Sequence, residues 1–226
     1  MKSEFIHFMV RSGVLSFGDF TTKSGRKTPY FINTGSYKTG EQMYKLGEFY
    51  AASIAKNVAD GEMKPFDVLF GPAYKGITLA AGTASMLYAK HGINVGFCYN
   101  RKEAKDHGEG GVLVGCKPKD GDRLVIVEDV ITAGTAVRET LPILKNAADV
   151  KVDAIVISVD RMEKGTGERT AIQELYEDHG IKAFPLVTIK EIVEELYNKP
   201  VDGRIIIDDA LMERIREYWD KYCVGI

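Results

Sequence analysis

Residues 124–136 read Leu-Val-Ile-Val-Glu-Asp-Val-Ile-Thr-Ala-Gly-Thr-Ala. Four apolar residues in a row are typical of a strand buried on both faces of a sheet, and they end in two carboxylates, Glu128 and Asp129. Small residues follow and lead directly into a predicted helix over residues 135–146. A buried strand that turns straight into a helix is the unit of an α/β protein. The segment has neither the GxxxxGK[ST] pattern of a P-loop nor the GxGxxG of a dinucleotide site.

The loop of this segment is suited to a phosphate group. Backbone N–H groups and threonine hydroxyls at residues 132–135 lie at the positive N-terminus of the predicted helix, where an anion is stabilised. The acid pair repels a phosphate, so its oxygens are suited instead to accepting hydrogen bonds from the vicinal hydroxyls of a sugar. A ligand that carries ribose with a phosphate at one end satisfies both halves. The alternative is that Thr132 or Thr135 only caps the helix, with the acids favouring its dipole.

The rest of the chain repeats this alternation of apolar strands and helices. Helices are predicted over residues 2–12, 41–59, 76–90, 135–146 and 169–179, and strands over residues 17–20, 30–33, 67–70, 95–99, 124–127, 154–159 and 184–187. The polar stretch 101–111 is predicted to contain no strand. This pattern predicts an α/β fold with a mainly parallel central sheet flanked by helices. Ligands of such sheets bind at the carboxyl ends of the strands, here after residues 70, 99, 127 and 159.

Length and composition narrow the class of protein. The 226 residues predict a single domain, 1–226, with one continuous core. A net charge of -2 and a pI near 6.1 argue against a nucleic-acid partner. No signal peptide is recognised and no apolar run approaches the roughly 20 residues that span a bilayer, so no membrane association is expected. Cys98, Cys116 and Cys223 are widely spaced, which argues against a disulfide framework or a zinc site and favours the cytoplasm.

Three further places carry cations that an anionic ligand would need. Residues 71–76, GPAYKG, follow a predicted strand, and Lys75 adds a cation for a pyrophosphate group. Residues 101–111, RKEAKDHGEGG, combine cations with hinge glycines and can close over such a group. Arg161 follows a strand end, where its guanidinium can bind a carboxylate through two hydrogen bonds. The alternatives are a plain turn with a solvated lysine, a solvated hairpin tip with a surface His107, and a surface ion pair between Arg161 and Glu163.

Residues 125–136, VIVEDVITAGTA, resemble the phosphoribosyl pyrophosphate (PRPP) signature of type I phosphoribosyltransferases. Three more segments, SGRKTPYFIN at 24–33, LFGPAYKGI at 69–77 and NRKEAKDHGEGG at 100–111, resemble stretches of the orotate phosphoribosyltransferases, as does Asp160-Arg161. Together they cover nearly the whole chain in the expected order. The resemblance implies the type I fold with an N-terminal acceptor-base hood at about residues 1–40. It also implies transfer of the phosphoribosyl group of PRPP to orotate, giving orotidine 5'-monophosphate and pyrophosphate, in de novo UMP synthesis.

The resemblance also implies the site residues. The expected catalytic residues are Lys102, Lys105, His107 and Asp129. The expected PRPP contacts are Lys23, Tyr74, Lys75, Arg101, Lys102, Lys105, His107, Glu128, Asp129, Val130, Ile131, Thr132, Ala133, Gly134, Thr135 and Ala136. The expected orotate contacts are Lys23, Phe31, Ile32, Thr132 and Arg161. The family often has two aromatic residues where this sequence has Phe31-Ile32, which leaves stacking on the orotate ring to Phe31.

A cofactor and an assembly follow from the same resemblance. Mg²⁺ is the expected cofactor, and because PRPP carries most of its oxygen ligands, no protein metal-binding cluster is expected. A homodimer with active sites shared between subunits is implied, in which the loop at 101–111 reaches into the neighbouring pocket. Orotate and PRPP are the expected small-molecule partners.

Two other functions fit part of the sequence. A phosphoribosyltransferase for a purine or another base would share the fold, but SGRKTPYFIN and Arg161 favour an acidic acceptor. A regulatory protein that senses PRPP without turning it over would be expected to lack the charged loop and to carry a basic nucleic-acid surface or a reader domain. The chain has the loop and no evident basic arm. Its length leaves no room for a fused decarboxylase domain.

Overall fold

A computed structural model describes residues 1–22, 25–105, 111–131, 134–165 and 167–226, except for the side chains of residues 103–105, 111 and 135. The helices in these ranges are α1 (Lys2–Arg11), α2 (Gly40–Ala59), α3 (Lys75–His91), α4 (Thr135–Ala147), α5 (Ala171–His179), α6 (Ile189–Leu196) and α7 (Asp209–Tyr222), and a 3₁₀ turn spans Thr34–Ser36. The strands are β1 (Leu15–Thr21), β2 (Lys27–Ile32), β3 (Val68–Gly71), β4 (Gly96–Lys105), β5 (Gly111–Gly115), β6 (Arg123–Val130), β7 (Lys151–Asp160), β8 (Lys182–Thr188), β9 (Pro200–Val201) and β10 (Arg204–Ile205).

The central sheet has six strands in the order β5-β4-β3-β6-β7-β8. Five strands run parallel, and the edge strand β5 pairs antiparallel with β4. Val68 at the start of β3 lies opposite Gly96 on one side and Leu124 on the other, which aligns the carboxyl ends of the middle strands. The expected α/β fold with a mainly parallel sheet is confirmed.

The apolar strands are buried on both faces of the sheet. On β6, Val125 and Val127 belong to one core cluster, whereas Leu124 and Ile126 belong to the other, because successive side chains point to opposite faces. Helices α1, α2, α3, α6 and α7 contribute to the first cluster, and α4 and α5 to the second. Helices on both faces are therefore the reason that the strands are continuously apolar rather than alternating.

The N-terminal segment packs on the first of these clusters. Strands β1 and β2 form a separate antiparallel hairpin, with Leu15 opposite Ile32. Buried Phe5 and Met9 of α1 and Tyr30 of β2 belong to the same apolar cluster as the sheet residues. The hairpin is thereby placed beside the sheet, and its exposed residues can form part of a site there.

The charged stretch 101–111 departs from its expectation. It was predicted to be free of strands, but β4 continues through Lys105 and β5 begins at Gly111, with these two residues paired. The prediction was wrong because pairing with a neighbouring strand satisfies the backbone groups whatever the charge of the side chains. Helix α6 was not predicted, although the capping box of Thr188 with Glu191 is a sequence signature of a helix start. For α7, the sequence indicated helical aromatic residues near the end of the chain but no bounds. None of the helices in the described ranges is long and apolar enough to cross a membrane.

Candidate active site

The sheet reverses its direction of growth between β3 and β6. The connection through α3 leads from β3 to β4 on one side, and the connection through α4 leads from β6 to β7 on the other. A crevice forms at the carboxyl ends of strands where the order reverses in this way, and ligands of open α/β sheets bind there. The turn after β3 and the acid pair at the end of β6 both lie at this point.

Two glycines determine the shape of the turn after β3. A Cβ atom on Gly71 would lie 1.9 Å from the carbonyl oxygen of Gly76, and one on Gly76 would lie 2.7 Å from the carbonyl carbon of Gly71. Small residues were expected here so that a ligand could approach, and the structure shows that they also let strand and helix approach each other. The amide of Ala73 donates to Asn100 Oδ1 at 2.9 Å, which ties this turn to the middle of β4.

Lys75, Asp129 and Thr34 meet across the crevice. Lys75 Nζ donates to Asp129 Oδ2 at 2.7 Å and to Thr34 Oγ1 at 2.9 Å, and the Thr34 hydroxyl donates to Asp129 Oδ2. All three line a cavity of about 140 Å³. Burial raises the pKa of Asp129, but its hydrogen bonds from Lys75 and Thr34 outweigh burial and lower it overall. Asp129 is therefore ionised and faces the cavity.

Glu128 has the opposite environment. Its side chain is turned back to accept from the amide of Asp129 at 3.0 Å, and it is not among the residues lining that cavity. Burial, with a contribution from the charge of Asp129, raises the pKa of Glu128 to about 8. Below the strand end, the buried hydroxyl of Tyr50 donates to the carbonyl of Glu128 at 2.7 Å and lies 2.8 Å from Ser158 Oγ. These two residues hold the end of β6 in place.

A larger cleft of about 720 Å³ extends from Lys75 to Arg161. It brings together the predicted site residues Phe31, Ile32, Lys75, Val130, Ile131 and Arg161. The Phe31 ring is 44% exposed and stacks on Phe20 of β1, with 5.6 Å between ring centroids, whereas Ile32 is largely buried. The exposed aromatic face at this position is therefore that of Phe31, with Phe20 supporting it from the hairpin.

Arg161 forms the ion pair with Glu163 that was the alternative to a ligand-binding role. Its Nη2 and Nε donate to Glu163 Oε1 at 2.6 and 3.1 Å. The pair is not at the surface, since only 12% and 10% of the two side chains are exposed. Burial lowers the pKa of Arg161, but Glu163 raises it and the net shift is upward, so the guanidinium stays charged. Because the pair lines the cleft, it remains available to a ligand.

The other predicted site residues lie near the crevice or outside the described ranges. Tyr74 is 71% exposed, and Lys102 Nζ lies 5.9 Å from its ring centroid. Helix α4 is capped by Gly134 with a φ of 66°, so the N-cap residue offers no hydroxyl, and Ala136 is exposed in the first turn. Arg101 lies on β4 and is half-buried. The predictions for Lys23, His107, Thr132 and Ala133, and for the side chains of Lys105 and Thr135, fall outside the described residues.

Sequence reasoning missed Thr34, Tyr50, Ser158 and Asn100. Thr34 comes directly after β2, so the rule that ligands bind at strand ends could have pointed to it, but the hairpin was not treated as part of the sheet. The other three have no local signal, since each acts on a residue far away in the chain. In the part of the chain that the structure describes, no group of three or more His, Cys, Asp or Glu residues could hold a metal ion.

Comparisons with known proteins identify the family of this chain. The model of the phosphoribosyl transferase domain family matches residues 33–186. Orotate phosphoribosyltransferase of Clostridium acetobutylicum is 56% identical over 223 residues, which is 99% of this chain and 98% of that protein. The Neisseria meningitidis enzyme of the same name is 45% identical over 223 residues, covering 99% of this chain and 98% of that protein.

A solved structure extends the likeness to the fold. The crystal structure of orotate phosphoribosyltransferase from Francisella tularensis matches with a TM-score of 0.81 and 33% identity, over 98% of this chain and all of that one (100%). The match includes the hairpin and the C-terminal helices as well as the sheet, because nearly the whole chain is covered. The chain therefore belongs to the phosphoribosyl transferase domain family and, within it, to the orotate phosphoribosyltransferases.

Proposed function

We propose that this chain transfers the phosphoribosyl group of PRPP to orotate, giving orotidine 5'-monophosphate and pyrophosphate, in de novo UMP synthesis. The observation that carries the proposal is the cleft with Lys75 at one end and Arg161 at the other. Lys75 is paired with Asp129 at the switch point of the sheet, where a phosphorylated sugar is expected. Arg161 lies at the other end of this cleft, where its guanidinium would bind the carboxylate of a base placed next to the sugar.

The acceptor base is recognised by charge and by stacking. The guanidinium of Arg161 binds the carboxylate of orotate, and the exposed ring of Phe31 stacks on the pyrimidine. Lys23 and Thr132 are the further orotate contacts that the family resemblance implies. A ring nitrogen of orotate then displaces pyrophosphate at the anomeric carbon of PRPP.

Ribose and its 5-phosphate bind at the end of β6 and the start of α4. Asp129 is ionised and accepts hydrogen bonds from ribose hydroxyls, while Glu128 stiffens the strand end through the Asp129 amide. Because the N-cap residue of α4 is a glycine, the first-turn N–H groups suit the phosphate, with residues 130–136 around it.

Catalysis consists mainly of positioning and of stabilising charge. The departing pyrophosphate gains negative charge, which Lys75, Arg101 and Lys102 neutralise together with Lys105 and His107 of the loop. The exposed ring of Tyr74 lies beside the Lys102 ammonium group. Asp129, a carboxylate that lines the cavity, would suit Mg²⁺ or the hydroxyls bound to it, and the ion would add positive charge to neutralise pyrophosphate.

We further propose that the working unit is a homodimer with shared active sites, with residues 1–226 of each subunit acting as one domain and about residues 1–40 forming the hood over the base. The cytoplasm is the proposed compartment, since the three cysteines are free and thiols persist in reducing surroundings.

The test is an assay of the purified protein with PRPP and Mg²⁺ against a panel of bases, following loss of the base absorbance. We expect turnover of orotate and negligible turnover of adenine, guanine, hypoxanthine and uracil. Uracil lacks the carboxylate and would leave the cationic end of the cleft unmatched, which lowers kcat/KM by roughly 10²-fold or more. Uracil turned over as efficiently as orotate would contradict the assignment.

A further inference from the structure

Glu163 lies at the centre of a half-buried polar cluster at the acceptor end of the cleft. Its Oε1 accepts hydrogen bonds from Arg161, as described above, and from the hydroxyl of Tyr218 at 2.8 Å. Its Oε2 accepts from Arg26 Nη2 at 2.6 Å. One carboxylate thus binds two arginines and a tyrosine.

The cluster joins three parts of the chain. Arg26 precedes β2 in the hairpin, Glu163 follows β7, and Tyr218 lies on α7, at sequence separations of 137 and 55 residues from Glu163. The Arg26 guanidinium also lies over the ring of Tyr222, 5.0 Å from its centroid. Because aromatic rings and ion pairs both restrain these side chains, Glu163 is held in one position.

Glu163 in turn fixes the orientation of Arg161. It takes two of the five guanidinium N–H groups, from Nε and Nη2, while the Tyr30 ring lies 5.4 Å from the guanidinium carbon. Within the described part of the chain, Nη1 of Arg161 donates no hydrogen bond. The Nη1 side is therefore available to a ligand in the cleft that Arg161 lines.

The cluster also sets the charge of this end of the cleft. Two arginines and one glutamate leave the cluster a single positive charge, which one carboxylate of a ligand would neutralise, and the formal charges of Asp160 and Lys164, which also line the cleft, are opposite in sign. A buried charge without a partner is costly, so a neutral ligand would leave the cluster unbalanced. Without Glu163, the guanidinium groups of Arg26 and Arg161 would lose the carboxylate that they share.

We propose that Glu163 is a positioning residue for acceptor recognition: it holds Arg161 in one orientation and limits the cluster to one positive charge, which favours a planar base with one carboxylate. This inference rests on the proposed function. Glu163 acts through Arg161 and does not itself touch the reacting atoms.

The experiment compares the steady-state kinetics of wild type with Glu163→Ala, Glu163→Gln and Tyr218→Phe. For Glu163→Ala we expect the KM for orotate to rise about tenfold or more and the KM for PRPP to change less than about twofold. Glu163→Gln keeps an oxygen that accepts from Arg161 and should recover part of the loss. Tyr218→Phe removes one hydrogen bond to Glu163 and should raise the KM for orotate by about two- to fivefold.

Glu62→Gln is the matched control. Glu62 pairs with Lys182 at the amino end of β8, whereas the cleft lies at the carboxyl ends of the strands, so its loss should leave both KM values unchanged. A thermal melt of each variant reports folding, and if Glu163→Ala does not fold, Glu163→Gln and Tyr218→Phe decide the question. A wild type inactive on orotate would contradict the proposed function itself. An active wild type whose folded variants keep the orotate KM, or raise both KM values equally, would overturn the role of Glu163.

Discussion

Two neighbouring carboxylates at the end of β6 show how much a residue depends on its surroundings. Glu128 and Asp129 are both buried, yet the pKa of Glu128 is raised to about 8, whereas that of Asp129 is lowered. The difference arises because Lys75 and Thr34 reach Asp129, while Glu128 contacts a backbone amide beside a negative charge. When their surroundings shift the pKa values of two carboxyl groups in opposite directions, the two groups can have different roles in the site.

Asp129→Asn tests the role of the ionised carboxylate. We expect kcat/KM to fall by roughly 10²-fold or more, because Lys75 loses its carboxylate partner and the ribose hydroxyls lose a charged acceptor. The side chain keeps its volume, so the fold should be retained in circular dichroism. Asp153→Asn is the control, since Asp153 pairs with Arg123 at the amino ends of β6 and β7, away from the carboxyl ends where Asp129 lies, and it should retain activity. Near-normal kinetics in pure Asp129→Asn protein would remove Asp129 from the mechanism.

At the scale of elements, the local pattern predicted most strands and helices, including the first half of β4, but neither the extension of β4 through Lys105 nor β5. Runs such as residues 124–127 are apolar because the sheet buries both faces, so a local pattern was sufficient. Residues 101–105 of β4 are mostly charged and have no such pattern, and β5 is only five residues long with a glycine at each end, so both form strands through pairing with each other. In the turn from β3 to α3, the residue types are determined by the close approach of the backbone and not by an apolar pattern.

Gly71→Ala tests that turn. The added Cβ would lie 1.9 Å from the carbonyl oxygen of Gly76 and 2.9 Å from the Cβ of Ala80, so β3 and α3 must move apart. We expect a loss of about 2–4 kcal/mol in unfolding free energy, which lowers Tm by several degrees in a chain of this size. Gly40→Ala is the control, because a Cβ at the start of α2 meets nothing within 4 Å, and its Tm should stay close to wild type. Equal melting temperatures for the two variants would show that the contact is relieved at little cost.

At the scale of the whole molecule, the proposed homodimer has a consequence that can be measured. Asp129→Asn damages the pocket and Lys105→Ala damages the loop, so each variant alone should be nearly inactive. In a two-fold dimer that mixes the variants, a loop acting in trans combines two damaged parts in one site and two intact parts in the other.

Random reassortment makes about half of the dimers mixed, so about a quarter of all sites should recover. The measurement is the activity of co-refolded variants that carry different affinity tags, which prove exchange of subunits. A loop that acts in cis leaves one defect in every site, and absence of recovery despite proven exchange would exclude the shared site.

The sequence by itself determined the class of fold, the family and the strand ends at which the site lies. These follow from local information, since buried strands, helix starts and the loop between them are specified by neighbouring residues. Only the tertiary structure decided which side chains meet. Thr34 reaches Asp129 across 95 residues, and Arg26 reaches Glu163 across 137. Such contacts depend on the order of strands in the sheet and on the hairpin packed beside it, and burial then sets their charge.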